Sequence, residues 1–133
     1  MKKKIRREFI LVALFTITLT TLLVTAVFYE FFKKEVMDEL DIDIQVLQET
    51  GVFETADIEN GLREMPLDDL RISLIAQDGS VLYDNDANVG NLGNHGDRPE
   101  VSQALQSGKG QSVRRSDTMD ESAFYYAVRQ KDG

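Results

Sequence analysis

Two adjacent arginines hold the most suggestive chemistry in this sequence. Gln111 to Ser116 reads as a strand, and side chains alternate along a strand, so Arg114 and Arg115 point to opposite faces. One of them shares the side of Val113 and needs an anionic partner there, either an Asp or Glu of the protein or the carboxylate of a bound ligand. An internal salt bridge or a solvated surface charge is the plainer alternative. In the next predicted strand, Ala123 to Arg129, the larger side chains Phe124, Tyr126 and Val128 fit a core, which turns Tyr125 the other way.

Other polar clusters carry less. Asp84-Asn-Asp86-Ala-Asn88 puts oxygen ligands at alternate positions, like the start of a calcium loop. Val89 then stands where the sharp turn wants glycine, and His95 where a bidentate Glu belongs, so a solvated Asx-rich turn is the default. Gly90, Gly93 and Gly96 recur every third residue without the strand and helix of a nucleotide fingerprint. His95, the only histidine, suits a structural role ahead of a helix, with a pH-responsive contact as the other option. The absence of cysteine excludes a disulfide framework, a thiolate nucleophile and any Cys-based zinc or iron–sulfur site. With no Ser–His–Asp spacing, zinc set or phosphate-cradling loop, the expectation is no catalytic residue, no metal, no cofactor and no enzymatic activity in this stretch of chain.

The elements that must position these residues read as an α+β domain behind an apolar helix. Phe9 to Tyr29 is uncharged for 21 residues. At 1.5 Å per residue that reaches about 31 Å, against a hydrocarbon core of about 30 Å. Its threonines are tolerable because a helical Thr hydroxyl bonds its own backbone carbonyls. Five basic residues and one acidic residue accompany that run in positions 1–29, whereas positions 30–133 hold 10 basic and 22 acidic side chains. Positive charge stays inside, so the sequence predicts a cytoplasmic N-terminus (1–8), a transmembrane helix (9–29) and an extracytoplasmic domain (30–133) at the cell membrane. The acidic remainder argues against nucleic acid as a partner. A cleaved leader is the competing reading, since Val24-Thr25-Ala26 is a small-residue cleavage context; against it, the apolar run continues through Val27 and Phe28.

Beyond the span, Val36, Leu40, Ile44 and Leu47 share one helical stripe, which faces either its own domain or a parallel dimer seam. That helix should end near Gly51. A short helix follows over Thr55 to Met65, stopped by Pro66. Arg71–Ala76 and Val81–Tyr83 then flank a tight turn at Asp78-Gly79, the clearest hairpin in the chain. Asp84 to Gly96 reads as a loop, and Pro99 opens a helix that Gly108-Lys-Gly110 ends. Two further strands complete a meander with helices packed on it. Lys131-Asp132-Gly133 looks like a hairpin turn cut before its return strand, so a fragment is expected.

The run RISLIAQDGSVLYDNDANVGNLGNHGDRPEVSQALQSGKGQSVRRSDT, continued by FYYAV, resembles the extracytoplasmic PAS-like (single Cache) sensor region of phosphate-regulon-type sensor histidine kinases of Gram-positive bacteria. The resemblance spans nearly the whole chain, including the apolar helix and the long helix after it. Its more specific parts are the Ile72–Asp84 hairpin, NHGDRPEV, and S-D-T followed by FYYAV. It implies a two-component signal-transduction protein, a parallel homodimer, a missing last strand, a second span and a kinase core beyond this chain. The partner it implies is a small ligand or an extracytoplasmic protein. Related sensor domains bind small anions through Arg and Tyr of this region, which makes Tyr83, Arg98, Arg114, Arg115 and Tyr125 the implied ligand-binding candidates. His95-Gly-Asp-Arg-Pro echoes the H-box of such kinases, but a position outside the membrane, away from ATP, excludes it as the phosphoacceptor. The sensor domain of a chemoreceptor or cyclase, a membrane-tethered interaction module without a small ligand, and an exported solute-binding protein are the alternatives.

Overall fold

The computed structural model describes residues 1–54, 57–65, 67, 70–115 and 122–131. Thr55, Pro66 and the turn at Asp132-Gly133 lie outside the described residues, as does the connection over 116–121. The chain divides into two compact units, Met1–Val36 and Met37–Gly133. The first helix, α1 (Lys2–Glu49), contributes to both.

In the first unit the run Phe9–Tyr29 of α1 is apolar on every side, and no other described residue covers it. Phe9, Phe15 and Phe28 are about three-quarters exposed, at 76%, 69% and 70%. The hydroxyls of Thr16, Thr18 and Thr21 each donate to the carbonyl four residues back, at 2.9 Å, so these polar atoms are satisfied within the helix. Among the described residues one helix is therefore long and apolar enough to cross a membrane.

The second unit is α+β, with two small antiparallel sheets and short helices. Met37 and Leu47 of α1 are buried, and Leu40 and Ile44 are half-buried, so this part of the stripe faces its own domain. Ile42 and Val46 are the apolar side chains left outward, 60% and 55% exposed. After α1, Val52–Glu54 forms a 3₁₀ turn. Helix α2 is shorter than the sequence predicts, Ile58–Arg63, and the Asp57 side chain caps it by accepting from the Asn60 amide. Leu47, Val52 and Leu62 form the core, with Phe53, Ile58, Met65 and Tyr83 packed against it.

Strands β1 (Ser73–Ile75) and β2 (Val81–Asp84) pair antiparallel across the expected turn. Helix α3 runs from Pro99 to Ser107 and ends at Gly108. Strand β3 (Lys109–Arg115) starts earlier than predicted and pairs with β4 (Ser122–Val128). The sequence predicts one meander, yet among the described residues each hairpin closes only on its own partner, giving two separate ladders. Pairing between sequence neighbours is local and cheap in loop entropy, whereas a ladder between hairpins needs longer-range contacts.

Gly110 fixes how α3 lies on β3. A Cβ there would collide with the Glu100 carbonyl, the Ala104 amide and Gln103. The strand therefore runs against the helix at backbone distance, with Val101 and Ala104 buried between them. Gly51, by contrast, has open space but a φ of +69°. Gly110→Ala should then cost about 2–3 kcal/mol through overpacking and Gly51→Ala about 1 kcal/mol through backbone strain alone, an order readable from urea unfolding of the two variants.

Candidate functional site

The β3–β4 hairpin is gripped on both faces. Alternation puts Gly110, Ser112 and Arg114 of β3 on one face, joined from β4 by Tyr125, which pairs with Ser112. Glu100 of α3, only 4% exposed, meets this face. Its carboxylate takes an ion pair from the Arg114 guanidinium and a hydrogen bond from the Ser112 hydroxyl. Arg114 lies over the Tyr125 ring, 3.9 Å from its centroid, a cation–π contact that holds the guanidinium flat. The Arg114 Nε is buried and has no hydrogen-bond partner among the described residues. The sequence asks for an anion on the side of Val113, which by alternation is the side of Arg115; the ion pair is made instead by Arg114 on the opposite face, with a carboxylate of the protein.

Arg98 stands at the start of α3, its amide donating to the His95 carbonyl and its carbonyl accepting from Ser102. Its guanidinium makes no ion pair among the described residues. Burial and the charge of Arg114 lower its pKa from the usual arginine value, while Glu100 and Tyr125 pull the other way. Of the five sequence candidates, Arg114 pairs with Glu100 and Tyr125 lies against Arg114, while Arg98 feels the charges of all three. Arg115 is exposed on the other face. Tyr83 sits elsewhere, packed on the Leu47–Val52–Leu62 core and lining an open groove of about 650 Å³ together with Leu62, Met65, Leu82 and Val89.

On the second face of the hairpin, Lys109 and Tyr126 converge on Asp41 of α1. The Lys109 ammonium and the Tyr126 hydroxyl both donate to Asp41 Oδ1, at 2.7 and 2.8 Å, and Gln45 donates to Oδ2 at 2.9 Å. The Lys109 hydrogen bond, then that of Tyr126, holds the Asp41 carboxyl below its usual range against the opposing effect of burial. Burial and Asp41 together raise the Tyr126 pKa. About two turns further along α1, Gln48 bonds Gln130 at 3.2 Å.

A third inward carboxylate, Asp84, organises the loop that reads from sequence as calcium-like. Its side chain is fully buried and accepts from Arg71 Nε (3.1 Å), the Ser73 hydroxyl (2.6 Å) and the amides of Asp86 (2.9 Å) and Ala87 (2.8 Å). Donors, one of them cationic, fill the oxygens a cation would use. Further along, the His95 amide bonds Gly79 O and Asn94 Nδ2 bonds Asp78 O, both at 2.7 Å, tying the loop back to the β1–β2 turn. His95 is buried and its Nδ1 donates to the Gly93 carbonyl at 2.7 Å, the geometry of a structural histidine at the approach to α3. In sequence Asp84 stands out only as the head of an Asx-rich, calcium-like turn, and Glu100 only as a Glu in a first helical turn. No family model, curated protein or solved structure matches the chain.

Burial pushes the Asp84 carboxyl up, but Ser73, the Ala87 and Asp86 amides and Arg71 outweigh it, and the net shift is downward. A carboxyl with a lowered folded pKa contributes stability above its unfolded value, and that stability is lost as pH falls through the folded one. Unfolding free energy should therefore fall below about pH 4. Asp84→Asn should lower stability by about 1–3 kcal/mol at neutral pH and flatten, without abolishing, that acid slope, because Asp41 and Asp78 are shifted the same way. Urea titrations between pH 2 and 7 check both.

Proposed function

We propose that the chain is the extracytoplasmic sensing and membrane-anchoring part of a two-component sensor histidine kinase, in which α1 carries a ligand- or partner-induced shift across the membrane. The observation that carries this reading is the double use of α1. One helix supplies the apolar run Phe9–Tyr29 and, at Asp41, the carboxylate bound to β3 and β4. The basic cluster Lys2–Arg7 favours a cytoplasmic N-terminus and hence an outside position for residues 30–133. A helix shift requires a binding event with different affinity for two arrangements, and Arg98, Arg114 and Tyr125 are where an anionic ligand would find its contacts. The working unit is a parallel homodimer, for which Ile42 and Val46, four residues apart and exposed, offer an apolar seam.

The second reading is a membrane-tethered protein-interaction module without a small ligand. The Arg114–Glu100 pair favours it, because the Arg114 charge that would hold an anionic ligand is already neutralised within the protein, and an open groove lies at Tyr83.

Joining the chain to a HAMP linker and histidine-kinase core in membranes tests the conduit directly. One alanine inserted between Tyr29 and Val36 rotates the following turns by about 100°. Autophosphorylation should change several-fold while the protein stays in the membrane fraction. Unchanged autophosphorylation would sink the conduit and leave α1 as a tether.

A further inference from the structure

Two charge clusters occupy opposite faces of one hairpin, and they share its backbone. Tyr125 and Tyr126 are consecutive residues of β4, the first beneath Arg114 and the second bonded through its hydroxyl to Asp41. Their Cα atoms are tied about 3.8 Å apart, so neither can shift without carrying the other. Strand β3 repeats the arrangement, since Lys109 reaches Asp41 while Ser112 and Arg114 reach Glu100. The ladder that pairs Gln111 with Tyr126 and Ser112 with Tyr125 locks the two strands into one body. Gly110, without a side chain, lets that body sit directly on α3, where Glu100 lies almost wholly buried.

We propose that the β3–β4 hairpin is a lever between α3 and α1, so that loosening Glu100's hold on one face loosens Asp41's hold on the other. Resting on the receptor reading above, it names the step by which the sensing domain moves its helix. The physical basis is the steep distance dependence of the bonds at both ends: the Lys109 and Tyr126 contacts to Asp41 stand at 2.7 and 2.8 Å, and a hydrogen bond is lost beyond about 3.5 Å. A displacement of less than 1 Å at Tyr125 is enough to release Tyr126. Coupling of this kind is reciprocal, so weakening Asp41 also loosens Glu100. Glu100 is the positioning residue for the α1 contact and touches no atom of Asp41's cluster.

Amide hydrogen exchange on the full chain in lipid nanodiscs decides the matter, with α1 residues 40–44 as the readout and β1 and β2 as internal reference. Glu100→Gln should accelerate exchange at 40–44 about threefold or more while the β1 and β2 amides keep their wild-type rates. Ser112→Ala, which removes one bond to Glu100 and keeps the ion pair, should do the same to a smaller degree. In an Asp41→Ala background Glu100→Gln should add nothing, because the acceptor of the Lys109 and Tyr126 bonds is already gone. Arg63→Gln, at an exposed pair outside the hairpin, should leave 40–44 unaltered. Wild-type rates at 40–44 in both Glu100→Gln and Ser112→Ala would overturn the lever, as would acceleration of all amides alike or an undiminished Glu100→Gln effect in Asp41→Ala. The readout needs neither ligand nor kinase output, so failure here leaves the membrane reading standing, and failure of the insertion test leaves the lever standing.

Discussion

The arrangement of this protein depends on an apolar segment that no other described residue covers. From Phe9 to Tyr29 every side chain is uncharged, the flanking aromatics are exposed, and the hydroxyls of Thr16, Thr18 and Thr21 are turned back onto the helix carbonyls. Such a surface is costly in water and at home in hydrocarbon, where only a helix that satisfies its own backbone can stand alone. The charges on either side then matter: five basic residues precede the run and an acidic surplus follows it. Under the proposed reading this asymmetry sets sidedness, and sidedness sets which chemistry is open to the rest of the chain.

The α+β unit is held by carboxylates as much as by its core. That core is small, Leu47, Val52 and Leu62 with a ring of half-buried neighbours. Around it three acidic side chains turn inward. Asp84 fastens the strand end to Arg71, Glu100 fastens α3 to β3, and Asp41 fastens α1 to the same hairpin from behind. In a domain rich in negative charge these carboxylates hold Arg71, Arg114 and Lys109, whereas Arg98 makes no ion pair among the described residues. The partners are buried to unequal degrees, and breaking one leaves an uncompensated charge behind, so these pairs fix where elements sit more than they add net stability.

Local chemistry made the elements readable and tertiary pairing hid their partners. The Asp78-Gly79 turn, the helix between Pro99 and Gly108 and the alternation that separates Tyr125 from Tyr126 are all set by neighbours in sequence. Alternation likewise separated Arg114 from Arg115 but set the need for an anion on the side of Val113, whereas Glu100, fourteen residues away, pairs with Arg114 on the other side. Tyr83 shares residue type with Tyr125 and lies instead against the core, because Ile58 and Leu62 of α2 fold over it. Asp84 reads as a solvated turn residue until Arg71 is placed beside it, a contact across thirteen positions that no periodicity announces.

The absence of cysteine makes the central claim, that residues 30–133 lie across the membrane from the N-terminus, directly measurable. Single cysteines introduced as Lys3→Cys or Gln77→Cys can be challenged in intact cells with a membrane-impermeant maleimide, Gln77 being exposed at the β1–β2 turn. The account predicts full labelling of Gln77→Cys in intact cells, and labelling of Lys3→Cys only after the membrane is permeabilised, with both proteins in the membrane fraction at unreduced mass. Labelling of Lys3→Cys in intact cells, or protection of Gln77→Cys, would contradict it.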